Sequence, residues 1–258
     1  MSSIDLNADL GESPDHAGLK QEAGIIAFVS SANIACGGHA GDDHSMAFMV
    51  KAAKEHGTVI GAHPAYPDRK NFGRTSLTLG TDISKSELAR AITSQIIRLV
   101  EIAAEHGAEV SYVKPHGALY NDAVFDREKA EIIAEAVAKI DPNFVLMGGP
   151  NSEMKRAAEK RGLTFIAEGF IDRRYTDDGH LQSRAIDGAV LKTQSDRLSQ
   201  LNRILTHGQV KTASGADLDL NVQTLCLHGD SDGALDTAKA VHQAITAKGL
   251  KIRSFIYD

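Results

Sequence analysis

The sequence of 258 residues is poor in aromatic side chains and contains no tryptophan. Aromatic residues make up only 5% of the chain, so it lacks the many exposed rings on which single-stranded nucleic acids stack. Lys and Arg number 28 against 34 Asp and Glu, and the net charge of −6 has the wrong sign for a surface that follows phosphate backbones. We therefore expect no nucleic-acid partner.

Cysteine is also scarce, and long apolar runs are missing. Cys36 and Cys226 are too few for a disulfide scaffold, and neither belongs to a CxxC pair typical of structural zinc. No eighteen apolar residues follow one another, which argues against a transmembrane helix. The first residues include acidic side chains and lack the basic and apolar regions of a signal peptide. These absences predict a cytoplasmic globular protein without a membrane partner.

Short apolar runs of strand character alternate with longer amphipathic segments along the whole chain. Strands are predicted at residues 4–10, 32–36, 58–63, 110–116, 144–148, 163–168, 222–228 and 250–256. Helices are predicted at residues 43–56, 86–106, 127–140, 153–161, 196–207 and 233–248. This alternation indicates βαβ units with a parallel sheet, in a single domain that spans residues 1–258.

Two parallel architectures fit the alternation, a closed (β/α) barrel and an open doubly wound sheet. An open sheet that binds a nucleotide usually has a glycine-rich turn after its first strand. Here the first strand leads into NADLGE, and neither GxGxxG nor GxxxxGK[ST] occurs. We therefore prefer the barrel. The polar segment 170–191 interrupts the alternation, and a long loop of this kind in a compact domain is usually functional.

Polar and ionisable side chains collect at the carboxyl ends of the predicted strands. They are Asp5, Asn7, Asp9, Cys36, His39, His63, Lys114, His116, Glu168, His228 and Asp230. Because these ends form one mouth in a parallel barrel, we expect a shared pocket in which histidines converge. Three other histidines, His56, His106 and His207, each precede a glycine at a predicted helix end, where an imidazole complements the helix dipole.

One chemistry that suits this mouth uses a divalent metal. Asp9, His39, Asp42 and His63 offer carboxylate and imidazole groups, which are ligands for Zn, Mn or Fe. Water activated by such a metal would hydrolyse an amide or an ester. No compact motif such as HExxH specifies the ligands, so the metal remains one of two alternatives.

The other chemistry needs no metal. A carboxylate would act as general base and a histidine as general acid. Lys114, with Arg69, Arg74 or Arg173, would counter the negative charge that develops in the reaction. Cys36 precedes His39 closely enough to suggest a nucleophilic thiol, although a small packed side chain is the commoner role for such a cysteine.

Six segments, in the same order along the chain, resemble the LamB/YcsF family. They read DLNADLGE, SANIACGGHAGD, GAHPAYPDRKNFGR, VKPHGALYN, DRRYTDDGHLQSR and LCLHGDS. The resemblance extends over residues 5–231, which is nearly the whole chain. It implies an irregular seven-stranded (β/α) barrel of the glycoside hydrolase and deacetylase type.

The resemblance also implies an activity. It is the cleavage of 5-oxo-L-proline to L-glutamate, coupled to hydrolysis of ATP to ADP and phosphate and carried out together with subunits B and C. ATP, with Mg²⁺, would be the cofactor. Phosphorylation of the lactam oxygen would give an imidate-type intermediate that water can attack. The absence of a Walker motif leaves open whether ATP binds this chain or a partner.

Residue roles that suit this activity are our hypothesis. We expect Asp9, His39, His63, Lys114, His116 and Glu168 to be the catalytic residues. Lys114 and Arg173 would meet phosphate charge, and Asp9 or Glu168 would be the base for water. We expect the substrate- or phosphate-binding residues to be Asn7, Arg69, Arg74, Asp172, Arg173, His228 and Asp230.

The chain departs from the family pattern at two places. Gly38 stands where an aromatic residue is usual, and Ser13 lies where GEGFG is common. Loss of an aromatic wall would enlarge the pocket and admit another lactam or an acyclic amide. The alternatives are therefore a stand-alone metal-dependent amidohydrolase or deacetylase, and a substrate-binding or scaffolding subunit whose partners carry out the catalysis.

Overall fold

The computed structural model describes residues 2–228 and 233–257. The strands in these two ranges are β1 (Ser3–Leu10), β2 (Ser31–Ala35), β3 (Val59–His63), β4 (Val110–Val113), β5 (Val145–Gly148), β6 (Phe165–Phe170), β7 (Gln209–Lys211), β8 (Asp217–Asp219), β9 (Thr224–His228) and β10 (Lys251–Ile252). Strands β1 to β6 are paired in chain order, β6 pairs with β9, and β9 pairs with β1. All these pairings are parallel. The expected seven-stranded (β/α) barrel is therefore confirmed.

Helices surround this barrel and cover its outer face. They are α1 (His16–Ile26), α2 (Asp43–His56), α3 (Lys85–Glu105), α4 (Gly117–Phe125), α5 (Arg127–Ile140), α6 (Glu153–Lys160), α7 (Gln194–His207) and α8 (Ala234–Ala247). In α3, a capping box between Ser84 and Glu87 begins the helix, and Leu88, Ile92 and Ile96 are fully buried on one face. Among the described residues, none of the helices combines the length and apolar character needed to cross a membrane.

Glycines end three of the helices as their sequence positions predict. Gly57 follows His56 with φ 68°, Gly107 follows His106 with φ 62°, and Gly208 follows His207 with φ 65°. These φ values lie in the left-handed region, which glycine adopts without steric cost. The three histidines therefore lie at helix ends, away from the barrel mouth.

Some elements differ from the sequence prediction. Strand β4 ends at Val113 and not at residue 116, because Pro115 has no N–H for the ladder, and His116 is then the N-cap of α4. Helix α1, which the periodicity did not indicate, begins after Asp15, whose carboxylate accepts from the Gly18 amide at 2.8 Å. Strands β7 and β8 form a small antiparallel pair outside the barrel, and β10 pairs with the start of β1.

Strand β1 shows how the fold separates apolar from polar side chains. Leu6, Ala8 and Leu10 are fully buried in the apolar core that contains residues of the helices. Because side chains alternate along a strand, the positions between them point to the opposite face, into the barrel. Asp5 and Asp9 occupy that face and are buried. Strand β1 therefore brings polar side chains into the barrel, next to a separate apolar cluster that includes Val145, Met147 and Ile166.

Candidate functional site

The lower part of the barrel interior holds one carboxyl group among hydroxyls. Asp5 accepts hydrogen bonds from Ser30 Oγ at 2.6 Å, from Ser31 Oγ at 2.7 Å and from the hydroxyl of Thr224. Burial raises the pKa of Asp5 to about 6, although these hydroxyls oppose the rise. The sequence placed Asp5 at the end of the first strand, but the structure places it deep in the barrel, where it binds neighbouring side chains.

Amides form the next layer of the interior. Asn33 donates from Nδ2 to Asn7 Oδ1 and to Asp9 Oδ1, both at 2.7 Å, and accepts from the hydroxyl of Tyr112 at 2.6 Å. Asn7 is fully buried and is not among the described residues that line the cavity at the mouth. It was expected to bind substrate, but its contacts are with this layer, through which it positions the charged residues above.

Lys114 is the buried cation at the centre of the mouth. Its Nζ lies 2.7 Å from Asp9 Oδ1 and 2.8 Å from Glu168 Oε1, and the residue is only 1% exposed. Burial by itself disfavours the charge of Lys114, but the attraction of the Asp9 and Glu168 carboxylates raises its pKa well above the usual value. Burial also acts to raise the pKa of Asp9, yet the charges of His63 and Lys114 outweigh it and hold that pKa well below the usual range.

Three histidines and one glutamate form a second cluster beside this lysine. His39 Nε2 lies 2.8 Å from Glu12 Oε1, His116 Nδ1 lies 3.3 Å from the same oxygen, and His63 Nε2 lies 3.3 Å from Asp9 Oδ2. The pKa values of His39 and His116 are both well below normal, because burial and the charge of neighbouring histidines disfavour the imidazolium form. Of the four strand-end histidines expected to converge, these three lie in ring contact with one another, and His228 lies on the other side of the mouth.

Glu12 is the member of this cluster that sequence reasoning missed. It follows β1 in the DLGE segment. The backbone N–H groups of Gly11 and Glu12 donate to the Glu22 carboxylate, that of Glu12 at 3.0 Å, and this contact ties the turn to α1. The signal that could have identified Glu12 is its position one turn beyond the polar end of the first strand, where other chemically active residues already collect.

The opposite side of the mouth carries an Asp–His–Arg chain. Asp172 Oδ2 lies 2.6 Å from His228 Nδ1, and Arg184 Nη2 donates to His228 Nε2 at 2.9 Å. Burial opposes the imidazolium form, but Asp172 more than compensates and raises the pKa of His228. Asp172 is not among the described residues that line the cavity, so it acts on the mouth through His228.

Arg173 lies beside this chain and is 4% exposed. It donates from Nη2 to the Gln182 carbonyl oxygen at 2.6 Å, and its buried Nε has no hydrogen-bond partner among the described residues. Burial, followed by the charge of Arg184, lowers the pKa of Arg173 to about 10. Arg173 and Arg184, which we call the arginine corner, are two neighbouring guanidinium groups that favour the binding of an anion.

Both sides of the mouth face one cavity of about 480 Å³. Its acidic and basic lining residues are Asp9, Glu12, His63, Arg74, Lys114, His116, Glu168, Arg173, His180, Arg184 and His228. Tyr120, Phe170 and Tyr175 supply aromatic walls. The segment 170–191 contributes Arg173, Tyr175 and residues 179–185, so the long polar loop of the sequence forms one wall of the cavity.

Three other candidates, Arg69, Cys36 and Asp42, are not among the described residues that line the cavity. Arg69 donates to the carbonyl oxygens of Gly37 and Gly41, and Cys36 is a buried thiol whose pKa burial raises to about 12. Asp42 accepts from the Ser45 amide at 2.8 Å and begins α2, so its carboxylate serves as a helix cap and is not in the histidine cluster. Asp230 lies outside the described residues.

The expected enlargement of the pocket at Gly38 is not what the structure shows. A Cβ atom added at Gly38 would lie 2.3 Å from Gln95 Oε1, and Gly38 is absent from the described lining of the cavity. The Gln95 amide is held in place by hydrogen bonds to both backbone polar groups of Ala65, each at 2.9 Å. Gln95 therefore fills the space next to Gly38, behind the cavity wall.

Two groups of side chains in the described ranges bring possible metal ligands within 4.8 Å of one another. One consists of Glu12, His39, His63 and His116, and the other consists of Asp9, Cys226 and His228. The structure therefore brings His39 and His63 together as expected. It puts Glu12 and His116 in the first group, in place of the expected Asp9 and Asp42.

Known sequences resemble this chain over its whole length. Residues 4–257 match the sequence model of the LamB/YcsF family. The 5-oxoprolinase A subunit numbered 1 in Agrobacterium fabrum is 42% identical over 258 residues, which is 100% of both chains. The 5-oxoprolinase A subunit of Haemophilus influenzae is 41% identical over 252 residues, which is 98% of this chain and 99% of that protein.

A solved structure agrees with these relatives. The crystal structure of a lactam utilization protein from Thermus thermophilus superposes on this chain with a TM-score of 0.88 and 34% sequence identity. The superposition covers 98% of this chain and 100% of that one. Sequence and fold thus agree from one end of the described structure to the other, and the chain belongs to the LamB/YcsF family.

Proposed function

We propose that the chain is the A subunit of an ATP-dependent 5-oxoprolinase. In this role it cleaves 5-oxo-L-proline to L-glutamate while ATP is hydrolysed to ADP and phosphate, together with subunits B and C. The observation that carries the proposal is the buried ammonium of Lys114, held between Asp9 and Glu168 at the cavity. The names of the two 5-oxoprolinase relatives and of the T. thermophilus protein support the same substrate class.

Opening of a lactam needs stabilisation of the negative charge that develops on the ring amide. Lys114 supplies a fixed positive charge in the buried wall of the cavity. This charge would stabilise the lactam oxygen, or the phosphoryl group transferred to it. Asp9 has a lowered pKa and is therefore a weak proton acceptor, so its role is to keep Lys114 charged and oriented. We assign the removal of the proton from the attacking water to Glu168, which lines the same cavity.

The arginine corner serves the anionic part of the substrates. Arg173 presents a buried Nε with no partner in the described ranges, and Arg184 lies close enough to lower its pKa. A carboxylate or a phosphate oxygen would satisfy this donor through a charge-assisted hydrogen bond. We therefore propose that Arg173 and Arg184 bind the 5-oxoproline carboxylate, while Arg74, across the cavity, meets the phosphates of ATP with its Mg²⁺.

The direct test measures glutamate and ADP from 5-oxoproline and ATP, with the chain alone and with subunits B and C added. Activity in the mixture only, with ADP formed in step with glutamate, is the expected result. Lys114→Met should lower this activity by roughly 10²–10³-fold, as removal of one charge-stabilising donor does. The matched control is Lys129→Met, since Lys129 is also buried and ion-paired, with Asp122 at 2.8 Å, but is not among the described lining residues.

Other outcomes would point to the alternative functions. Hydrolysis of a lactam or amide by the chain alone, with a metal and without ATP, would identify a stand-alone amidohydrolase. Turnover by the complex that is the same for Lys114→Met and Lys129→Met would identify a scaffolding subunit. A silent mixture of all three subunits would contradict 5-oxoproline as the substrate.

A further inference from the structure

The nitrogens of His63 and His116 face each other in an arrangement that neutral imidazoles cannot satisfy by themselves. His63 Nδ1 lies 2.7 Å from the Lys114 carbonyl oxygen, and His116 Nε2 lies 3.1 Å from the Phe72 carbonyl oxygen. A carbonyl only accepts, so both of these nitrogens carry the proton. The two remaining nitrogens, His63 Nε2 and His116 Nδ1, then each carry a lone pair, and the two atoms lie only 3.0 Å apart. A cation between them removes this repulsion.

Glu12 completes a triangle around the same point. Its Oε1 lies 3.3 Å from His116 Nδ1 and 4.0 Å from His63 Nε2. A triangle with sides of 3.0, 3.3 and 4.0 Å has a centre about 2.0 Å from each corner, which matches zinc bonds of about 2.0 to 2.2 Å to nitrogen and oxygen. One carboxylate and two imidazoles are also a common ligand set for catalytic divalent metals.

His39 belongs to the cluster but not to this triangle. Its ring is stacked on that of His116, with centroids 3.5 Å apart and an angle of 1° between the planes. Imidazole binds a metal in the plane of its ring, so two parallel rings cannot both direct a lone pair at one ion. The ring of His63, in contrast, stands at 89° to that of His116. His39 instead contacts Glu12 Oε1 at 2.8 Å, and it is not among the described cavity-lining residues.

We infer that Glu12, His63 and His116 bind one divalent transition-metal ion of the zinc class, and that His39 is a positioning residue for Glu12. All three ligands line the cavity, so a remaining coordination position faces the space available to substrate. The backbone carbonyls behind His63 and His116 fix their tautomers, as supporting contacts do in metal sites. A metal held there would act as a Lewis acid or activate water.

The second group of possible ligands is a poorer site. Cys226 Sγ lies 3.1 Å from the Lys114 ammonium, which also contacts Asp9 at 2.7 Å, so a fixed positive charge already occupies this position. Burial raises the pKa of the Cys226 thiol well above normal, which disfavours the thiolate that metals bind. Both ring nitrogens of His228 already have hydrogen-bond partners, Asp172 and Arg184.

The test measures metal binding without lactam or ATP, so its outcome is independent of the proposed function. Metal-stripped full-length protein is titrated with Zn²⁺ and Co²⁺, with calorimetry for affinity and visible absorption for the Co²⁺ ligand field. We expect one ion per chain. X-ray absorption of the Zn²⁺-loaded wild type should show a low coordination number for the zinc, with scattering from two imidazoles. This measurement needs no variant that might fail to fold.

Variants then identify the ligands. Glu12→Gln and His116→Gln should weaken binding by more than the roughly 10- to 100-fold that loss of a supporting contact costs. His39→Gln should weaken it within that range and leave the Co²⁺ spectrum unchanged, since the ligand set is intact. His44→Gln, at an exposed histidine on α2, is the matched control and should bind as the wild type does.

Two results would overturn the inference. The first is binding of less than half a metal ion per chain by the wild type at saturating metal. In that case a proton shared between His63 and His116 would be the cation that separates their lone pairs. The second is binding that Glu12→Gln preserves and His228→Gln removes, which would place the ion in the group of Asp9, Cys226 and His228.

Discussion

Asp5 and Asp9 lie on the same strand, face the same barrel interior and are 1% and 5% exposed, yet the pKa of Asp5 is raised and that of Asp9 is lowered. Burial raises the pKa of Asp5 to about 6, because its partners are neutral hydroxyls. Asp9 experiences the same burial, but Lys114 and His63 hold its pKa well below the usual value. Burial alone therefore does not fix the pKa of a carboxylate. The charged groups within a few ångströms decide whether that pKa rises or falls.

The two ends of the barrel differ accordingly. At the Asp5 end, neutral hydroxyls donate to one buried carboxyl group and join neighbouring strands of the barrel, and none of these described residues lines the cavity. The Asp9 end concentrates charges that are stable only while each has its partner. A site assembled from such pairs loses both stability and activity when one member is removed.

The largest effect should come from removing the cation that distinguishes the two ends. Lys114→Met leaves Asp9 and Glu168 buried next to each other without their shared partner, and we expect a loss of about 3–5 kcal/mol in the free energy of unfolding. Denaturant unfolding at neutral pH measures it. Lys114→Met combined with Asp9→Asn should be more stable than Lys114→Met alone, and the opposite order would mean that Asp9 does not depend on Lys114.

A pair of matched substitutions compares the two ends by activity. Asp9→Asn should lower 5-oxoproline cleavage by the reconstituted complex by roughly 10²–10³-fold, because Lys114 loses the carboxylate that orients it. Asp5→Asn keeps a similar shape and should change the rate by less than about threefold. Steady-state rates at saturating substrate measure both, and similar losses for the two variants would contradict the separation into a structural and a reactive end.

Stability should also depend on pH through Asp5. Its folded pKa of about 6 exceeds the usual 3.8, so the folded state binds the proton more tightly than the unfolded chain does. The stabilisation is therefore complete below about pH 4 and is lost as the pH rises to about 6, with a loss on the order of 3 kcal/mol. Asp5→Asn should flatten this part of the curve of unfolding free energy against pH; an unchanged slope would exclude Asp5 as its source.

The smallest effect should come from Asp42, an exposed aspartate that the sequence suggested as a metal ligand. Asp42→Ala removes the cap of α2 and should cost about 1 kcal/mol of unfolding free energy. Metal affinity and the rate of 5-oxoproline cleavage should match the wild type, because the Asp42 carboxylate is bonded to the Ser45 amide. A loss of metal affinity in this variant would restore Asp42 to the ligand set.

Much of the fold was predictable from local patterns. Apolar periodicity placed most barrel strands and the long helices within a few residues, and the capping box at Ser84 marked the start of α3. It did not reveal α1 or α4, for which the decisive signals are an Asp cap and the end of the preceding strand before Pro115. The polar loop 170–191 was identified as unusual, but Arg173 and Arg184, two of its three arginines, both line the cavity only because the loop folds over the mouth.

The sequence by itself determined which strand carries each chemical group and that most of these groups lie near the carboxyl ends, Asp5 being an exception, because side-chain alternation and helix periodicity are local properties. Tertiary structure decided the partners. Asp9 and Lys114 are 105 residues apart in the chain, and His63 and His116 are 53 residues apart. Acid strength, tautomer and metal-ligand geometry depend on distances of a few ångströms between such residues, and only closure of the barrel sets those distances.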